Sequence, residues 1–475
     1  MFSLHLLSRN FPTAHTLLSL SLVLCLARAV LATNPFVQYA VDFPDPNFVA
    51  STKFGNNFNG AEATIVAWAN EMASHGPWTV TSKPVVAPSG DKHDYMSWAP
   101  YEWPNCSNVK NTTALSLADE SKKCNFDFRD GQVNPERFII QDFQSFFNLS
   151  DAVLYNSIAA VLQNKPSSQY SQNVAKFVNT WFLDPNTAMN PNLNFAQMNR
   201  GPGGQSGAYT GILDLRGFAK IASGILMLRN TNNTDWTADL DSQFIAWCNK
   251  YIQWLDTAPN GQTAAHATNN HGTIFINQYA ALKLIVKDTS SAVNWTQNYF
   301  NGLFQHQVNS SGNQPEEASR THPYHYRNFN IAGMITNARL LKYANPSSTP
   351  WNATASGATI QTTIDFLMAT DPNATGESDI KAEIYPNIAA IASVYGDPSG
   401  KYTGFLNGTG FAYADDPTFL WDQPLAGGDA LASTNGTKGG PDNTKNAAQS
   451  SRPAEVFSVA AVSVLLILIS ESVGL

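Results

Sequence analysis

The sequence predicts an all-α body built of antiparallel helix pairs, and three observations carry that prediction. Apolar residues recur at spacings of three and four in a series of stretches of similar length. Several of those stretches open at Pro, Asp, Ser or Thr, residues that start helices. No long segment alternates apolar with polar residues as a half-buried strand does. With Asn-, Gly- and Pro-rich connections between them, such stretches bury their apolar stripes by packing on one another.

In chain order, the helical stretches run Ala61 to Ala73, Pro135 to Leu149, Ser150 to Asn164, Gln172 to Leu183, Asp214 to Leu228, Asp241 to Leu255 and Thr273 to Val286. Two more run Asn330 to Ala344 and Ile360 to Ala369. No repeat with a solenoid consensus is present. Two connections, Met189 to Tyr209 and Asn301 to Arg327, are long for a compact domain, and long loops are where functional residues concentrate.

The ends read as addresses. Arg9 precedes the apolar run Thr16 to Leu26, which is too short to span a bilayer, and the small residues Val30 and Ala32 fit signal cleavage after Ala32. At the other end, a polar linker over 426–455 precedes the apolar run Val456 to Ile469. A small-residue site at Asn446 to Ala448 completes the pattern of a glycolipid-anchor signal, against which Glu471 in the tail counts mildly. A short transmembrane tail is the alternative. Ten Asn-x-Ser/Thr sequons, at Asn105, Asn111, Asn148, Asn232, Asn294, Asn309, Asn352, Asn373, Asn407 and Asn435, accord with secretion. The expected location is outside the cell, at the cell surface or wall. Outside the leader, Cys106 and Cys124 are close enough to staple a loop, whereas Cys248 sits in a helical pattern as a buried thiol.

A formal net charge of −8, with abundant aromatic residues, argues against a nucleic-acid surface. No CxxC, HExxH or clustered His/Cys spacing speaks for zinc. The chemistry-bearing residues fall in three blocks. The first, Asp94 to Asn105, places Tyr95, Trp98, Tyr101 and Trp103 in one non-helical segment, either a stacking platform for sugar rings or a loop folded under its own rings. Phe128 to Glu136 then reads as a turn into a helix starting at Pro135. The second block, Asn269, Asn270 and His271, precedes a helix, where amides and an imidazole can hold a carboxylate or simply cap the helix. The third, Glu316 to Asn330, sets Arg320, His322, Tyr324, His325, Tyr326 and Arg327 before another helix. Arginine is the bidentate partner of carboxylates, and a tyrosine beside cations can exchange protons. A structural ion-pair cluster is the bland alternative.

Taken in succession, DYMSWAPYEWPN, FRDGQVNPE, TWFLDPNTAMNPNLNFAQ, NNHGT and RTHPYHYRNFNI resemble the blocks of the alginate-lyase-like polysaccharide lyases, over about Asn56 to Tyr395. The resemblance implies an incomplete (α/α) toroid and cleavage of a uronate polysaccharide by β-elimination. Carried over, it implies Asn270 and His271 from the NNH block, Arg320 as the arginine, and Tyr326 as the tyrosine with Phe329 following. The Arg320-to-Tyr326 spacing is one residue shorter than in the better-known alginate lyases, which leaves Tyr324 as a competitor.

On this reading Asn270, His271 and Arg320 surround the C5 carboxylate, and Tyr326 or His271 removes the C5 proton. Tyr326 then protonates the O4 leaving group. The groove is expected to use Tyr101, Trp103, Trp181, Asn194, Gln197, Arg200, Tyr324 and His325. Trp181 has a core reading as well, and Arg200 with the following GPGG reads as a loop tip that meets a neighbouring carboxylate. The partners are an acidic polysaccharide and, through a C-terminal lipid anchor, a membrane. No cofactor, metal or nucleic acid is called for, and a monomer is expected.

Two alternatives stand beside this one. An inverting glycoside hydrolase on a similar helical toroid needs two separated carboxylates, for which Asp94, Asp130, Glu136, Glu317 and Glu383 are available. A wall-associated binding protein without turnover is favoured weakly by the low Lys+Arg count of 28, since a cleft for a polyuronate must be locally cationic.

Overall fold

The computed structural model describes residues 42–54, 58–110, 115–410 and 415–422. The expected leader, linker and C-terminal tail lie outside these residues. Among the described residues, no helix is long and apolar enough to cross a membrane.

The longer helices are α1 (Asn59–His75), α2 (Asp142–Leu162), α3 (Gln169–Val178), α4 (Phe218–Asn230), α5 (Ala238–Thr257), α6 (Pro259–Ala265), α7 (Asn270–Ile285), α8 (Thr289–Asn301), α9 (Pro323–Ala344), α10 (Ile360–Met368) and α11 (Tyr385–Tyr395). They pack as antiparallel pairs: α2 lies against α1, α3 and α4, α4 against α7, and α7 against α8 and α9. This is an (α/α)-toroid-like arrangement. Helices α2 and α7 are buried on nearly every face, as expected of helices that are apolar or neutral all round. Asn156 of α2 donates from its amide to the carbonyl of Ala69 in α1 at 3.2 Å, so this buried polar group is satisfied.

Several boundaries differ from the sequence reading, each for a local reason. The expected helices Pro135 to Leu149 and Ser150 to Asn164 become a 3₁₀ turn, Pro135–Ile139, and then the single helix α2. Ile140 is extended between them, so the break falls before Asp142 rather than at Ser150. The stretch expected to end at Leu183 leaves the α geometry after Val178 and closes as a π-helical turn, Asn179–Leu183. Helix α9 begins at Pro323, seven residues earlier than expected, because Pro supplies the first helical φ without needing a hydrogen bond. Helices α6, α8 and α11 fall outside the stretches expected from the sequence.

What little sheet there is holds the first sequence block. Strands β1 (Met96–Trp98) and β4 (Phe195–Met198) pair in parallel, and β2 (Glu102–Asn105) pairs antiparallel with β3 (Asn125–Phe128). A disulfide joins Cys106 to Cys124 directly beyond the last pair of that ribbon, Asn105 and Asn125. Cys248 is a buried free thiol, as the helical pattern implied.

Beneath these strands the fully buried Asp214 accepts hydrogen bonds from Tyr95 Oη (3.2 Å), Ser97 Oγ and Gln197 Nε2 (3.0 Å), and pairs with Arg137 at 3.3 Å. One buried carboxylate so fixes β1, β4 and the 3₁₀ turn relative to one another. A buried charge is tolerated here because hydrogen bonds and a counter-charge surround it.

Candidate active site

Two helix starts and one turn meet to form the site. The first is the start of α7, where Asn269 is the N-cap and its Oδ1 accepts from the backbone N–H of His271 at 3.1 Å. The same oxygen lies 2.9 Å from His271 Nδ1. An amide oxygen can only accept, so Nδ1 carries the proton, and in the neutral ring Nε2 presents a lone pair. Burial and then the nearby charge of Arg320 push the imidazole down to about 4, so it is neutral at ordinary pH. Gly272 follows because a Cβ there would sit 2.1 Å from the carbonyl oxygen of Ala267.

Asn270, 1 % exposed, is held from behind. Its backbone N–H and its Nδ2 donate to the two oxygens of Glu317 at 2.8 and 2.7 Å. Glu317 is itself buried, and burial raises its carboxyl above the ordinary range despite those two bonds. It lies on the short helix Pro315–Ala318, which leads straight to Arg320.

The second helix start is that of α9. Tyr326 lies in its first turns, with Oη 2.6 Å from Tyr101 Oη and 2.9 Å from Arg320 Nη2. The guanidinium carbon of Arg320 stands 3.9 Å from the Tyr326 ring centroid. The same Nη2 donates to Asp130 at 2.8 Å, and Asp130 also accepts from Thr321 Oγ1 (2.7 Å) and Thr321 N (3.3 Å). The hydrogen bond from Arg320, joined by those from Thr321, holds Asp130 at about 2. Burial works against the charge on Arg320, but Asp130 outweighs it and raises its pKa. Burial, then the Tyr101 phenol, push Tyr326 well above the ordinary phenol range while Arg320 pulls it down, so the phenol is protonated in the free protein.

Of the sequence-predicted residues, the structure therefore brings Tyr101, Arg320 and Tyr326 into direct contact and sets Asn270 and His271 on the adjoining helix start. The others are placed differently. Tyr324 points away: its Oη approaches the Lys381 carbonyl at 3.3 Å, and its backbone N–H donates to Glu377. Successive residues on a helix diverge by about 100°, so Tyr324 and Tyr326 cannot share a face. His325 pairs with Glu383 at 2.8 Å and stacks on Phe329. Burial opposes its charge, but Glu383 raises its pKa.

Trp181 is fully buried against Phe146 and presents no ring to a substrate. Gln197 is spent on Asp214. Arg200 is 6 % exposed rather than at a loop tip: it pairs with Glu136 at 2.6 Å, donates to the Glu102 carbonyl, and lies between the rings of Trp98 and Phe126. Its role is to brace the β2–β3 ribbon. Asn194 is exposed, and its Oδ1 accepts from Trp254. Trp103 remains half-buried on the ribbon, with Nε1 donating to the Gln132 carbonyl and Arg129 over its ring at 5.0 Å.

The carboxylates that would serve a hydrolase are all engaged. Asp130 holds Arg320, Glu136 holds Arg200, Glu317 holds Asn270, Glu383 holds His325, and Asp94 accepts from Ser89 and Asn190. Sequence reasoning missed Asp130 and Glu317 as supports of the site, and Tyr209, whose ring lies edge-on to His271 at 5.5 Å. Both acids stand in blocks already singled out, but which cationic or amide group each meets depends on contacts across 190 and 47 residues of chain.

Residues 79–375 match the family model described as alginate lyase. Among solved structures, the crystal structure of an alginate lyase from Bacteroides ovatus is similar at 25% identity and a TM-score of 0.66, over 77% of this chain and 93% of that one. An alginate lyase from a Sphingomonas species is 12% identical with a TM-score of 0.42, over 74% and 92% of the two chains. No curated protein matches the chain.

Proposed function

The chain belongs to the alginate lyase family, and from that premise we propose that it cleaves a uronate-containing polysaccharide, alginate- or glucuronan-like, by β-elimination at Tyr326. The observation that carries the reading is the position of Tyr326 Oη, within hydrogen-bond reach of both Arg320 Nη2 and Tyr101 Oη. A phenol needs such an arrangement to give up a proton and be stabilised afterwards.

The protonation states divide the labour. Arg320 meets the C5 carboxylate and stabilises the enolate-like charge that develops on it. Asn270, gripped by Glu317, supports the same site from the start of α7. His271, neutral and with Nε2 as acceptor, takes the C5 proton; the electrons of that bond form the C4–C5 double bond, and the C4–O4 bond breaks. Tyr101 donates to Tyr326 Oη, which frees the Tyr326 proton for O4. The phenolate left behind is held by Arg320 and Tyr101 until solvent carries the proton back from the imidazolium, so protons balance over the cycle. This differs from the simplest form of the sequence reading, in which Tyr326 serves as both base and acid.

The test is the ultraviolet absorbance of the new double bond while the protein is incubated with glucuronan, polymannuronate and polyguluronate. A base must be deprotonated to act, so kcat/KM rises with pH through the His271 pKa and is full above it. With that pKa at about 4, the acid limb lies near pH 4 instead of the ordinary imidazole range. Tyr326→Phe and His271→Gln each lower kcat by roughly 10²–10⁴-fold, the usual worth of a general acid or base. Loss confined to KM in His271→Gln would return both proton transfers to Tyr326. New reducing ends without a double bond would replace elimination by hydrolysis.

A further inference from the structure

Beside the reaction centre lies an open groove of about 610 Å³, lined by Tyr209, Gln262, Thr263, His266, Thr268 and Asn269. It adjoins the centre through two of its lining residues: Asn269 holds His271, and Tyr209 lies against the same ring. Its volume is in the range of small-ligand clefts, and its walls come from α6, the connection to α7 and the residue that opens the 3₁₀ turn Tyr209–Leu215.

The chemistry of the lining is unlike that of a carboxylate site. None of the residues lining it is Lys or Arg. Three of its donors are turned inward: Thr263 Oγ1 donates to the Pro259 carbonyl at 2.9 Å, Gln262 Nε2 to the Asp256 carbonyl, and Thr268 Oγ1 to Glu316 at 3.1 Å; the donors left to it, the Asn269 amide and the Tyr209 hydroxyl among them, are neutral. His266 Nδ1 is bound to the Gln262 carbonyl at 2.8 Å, which leaves Nε2 of the neutral ring as an acceptor. The groove thus offers neutral polar groups and no cation, with the Glu316 carboxylate at its edge. A uronate carboxylate meets no cation there and a like charge nearby, whereas sugar hydroxyls can both donate to and accept from these neutral groups.

Several of the basic residues elsewhere are committed. Arg137, Arg200, Lys220, Arg229 and Arg339 are ion-paired within the fold. Arg320 serves the centre itself, and Arg129 lies over Trp103 on the ribbon. The scarcity of Lys and Arg seen in the sequence thus leaves the groove without a cation.

Resting on the lyase reading, we propose that this groove is a subsite for a neutral sugar next to the reacting uronate, so that the substrate alternates uronate with uncharged residues instead of being a homopolyuronate. The full-length protein is assayed for double-bond formation on a polymer alternating 4-linked glucuronate with glucose, on glucuronan and on polymannuronate. The alternating polymer is expected to exceed both homopolymers in kcat/KM by roughly tenfold or more, since like-charge juxtaposition is a strong discriminator. Thr263→Arg, an exposed substitution that needs no room in the core, adds a cation to the groove and is expected to lower KM for glucuronan and narrow that ratio. Equal or greater kcat/KM on a homopolymer, or a ratio that Thr263→Arg does not move, overturns the neutral subsite while leaving elimination intact. No double bond from any of the three polymers overturns the lyase reading, and the subsite with it.

Discussion

At the residue scale, the proposed chemistry depends on a carboxylate that touches no reacting atom. Asp130 holds Arg320 through the same Nη2 that donates to Tyr326, and it is followed by Gly131. That glycine has φ +74°, and a Cβ on it would lie 2.7 Å from the His322 ring. Asp130 is therefore a positioning residue. Asp130→Asn keeps the shape but frees the guanidinium, and a displacement of about an ångström at a reacting group can cost roughly a hundredfold. We expect kcat to fall by roughly 10–100-fold in Asp130→Asn, and Asp130→Glu to recover part of the loss. The pair is about a quarter exposed, so its loss should change stability by only about 0–1 kcal/mol. Equal losses of activity and melting temperature would show a merely structural role.

At the scale of elements, the helix pairs are held by buried charge as well as by apolar packing. Lys220 of α4 meets Asp151 of α2 at 2.6 Å, with both side chains essentially inaccessible. Neither ion could be buried alone, and removing one partner of such a pair costs about 3–5 kcal/mol. Lys220→Met should therefore lower the urea midpoint strongly, and the double variant Lys220→Met with Asp151→Leu should regain much of the loss. A single variant as stable as the parent would show that solvent reaches the pair. The helix starts follow the same principle of satisfying what is buried. Asn269 caps α7 and orients His271 with one oxygen, so a local device of secondary structure also sets a tautomer.

Across the whole molecule, the ends of the described body are tied through one arginine. Arg339 of α9 donates from Nη1 to Asp42 at 2.6 Å and from Nη2 to Asp422, and Trp421 Nε1 donates to the second oxygen of Asp42 at 3.0 Å. Arg339→Ala leaves two carboxylates facing each other without a counter-charge, one of them 1 % exposed. We expect a loss of about 3–5 kcal/mol and faster hydrogen exchange at 42–54 and 415–422. If exchange there is unchanged, the ends are held by apolar contacts alone. The site lies at other helix starts, so kcat at moderate temperature should be retained.

The sequence by itself determined the fold class and the blocks from which the site is drawn. Three- and four-residue periodicity is a local property, and any chain with these apolar stripes must pack them as helix pairs. The residues alone marked two blocks, around Asn270 and His271 and around Arg320 to Arg327, as carriers of chemistry, and the family resemblance named Asn270, His271, Arg320 and Tyr326 within them. The sequence could not decide which groups face one another. Trp181 and Arg200 have the composition of groove residues and lie in the interior, Trp181 against Phe146 of α2 and Arg200 between Trp98 and Phe126. Tyr324 and Tyr326 could be separated only once α9 was seen to start at Pro323 and so turn them to different faces. The supports of the site, Asp130 and Glu317, act across distances of chain that no local pattern encodes. Which partner each buried polar group finds is a property of the assembled interior, and there only the tertiary structure decides.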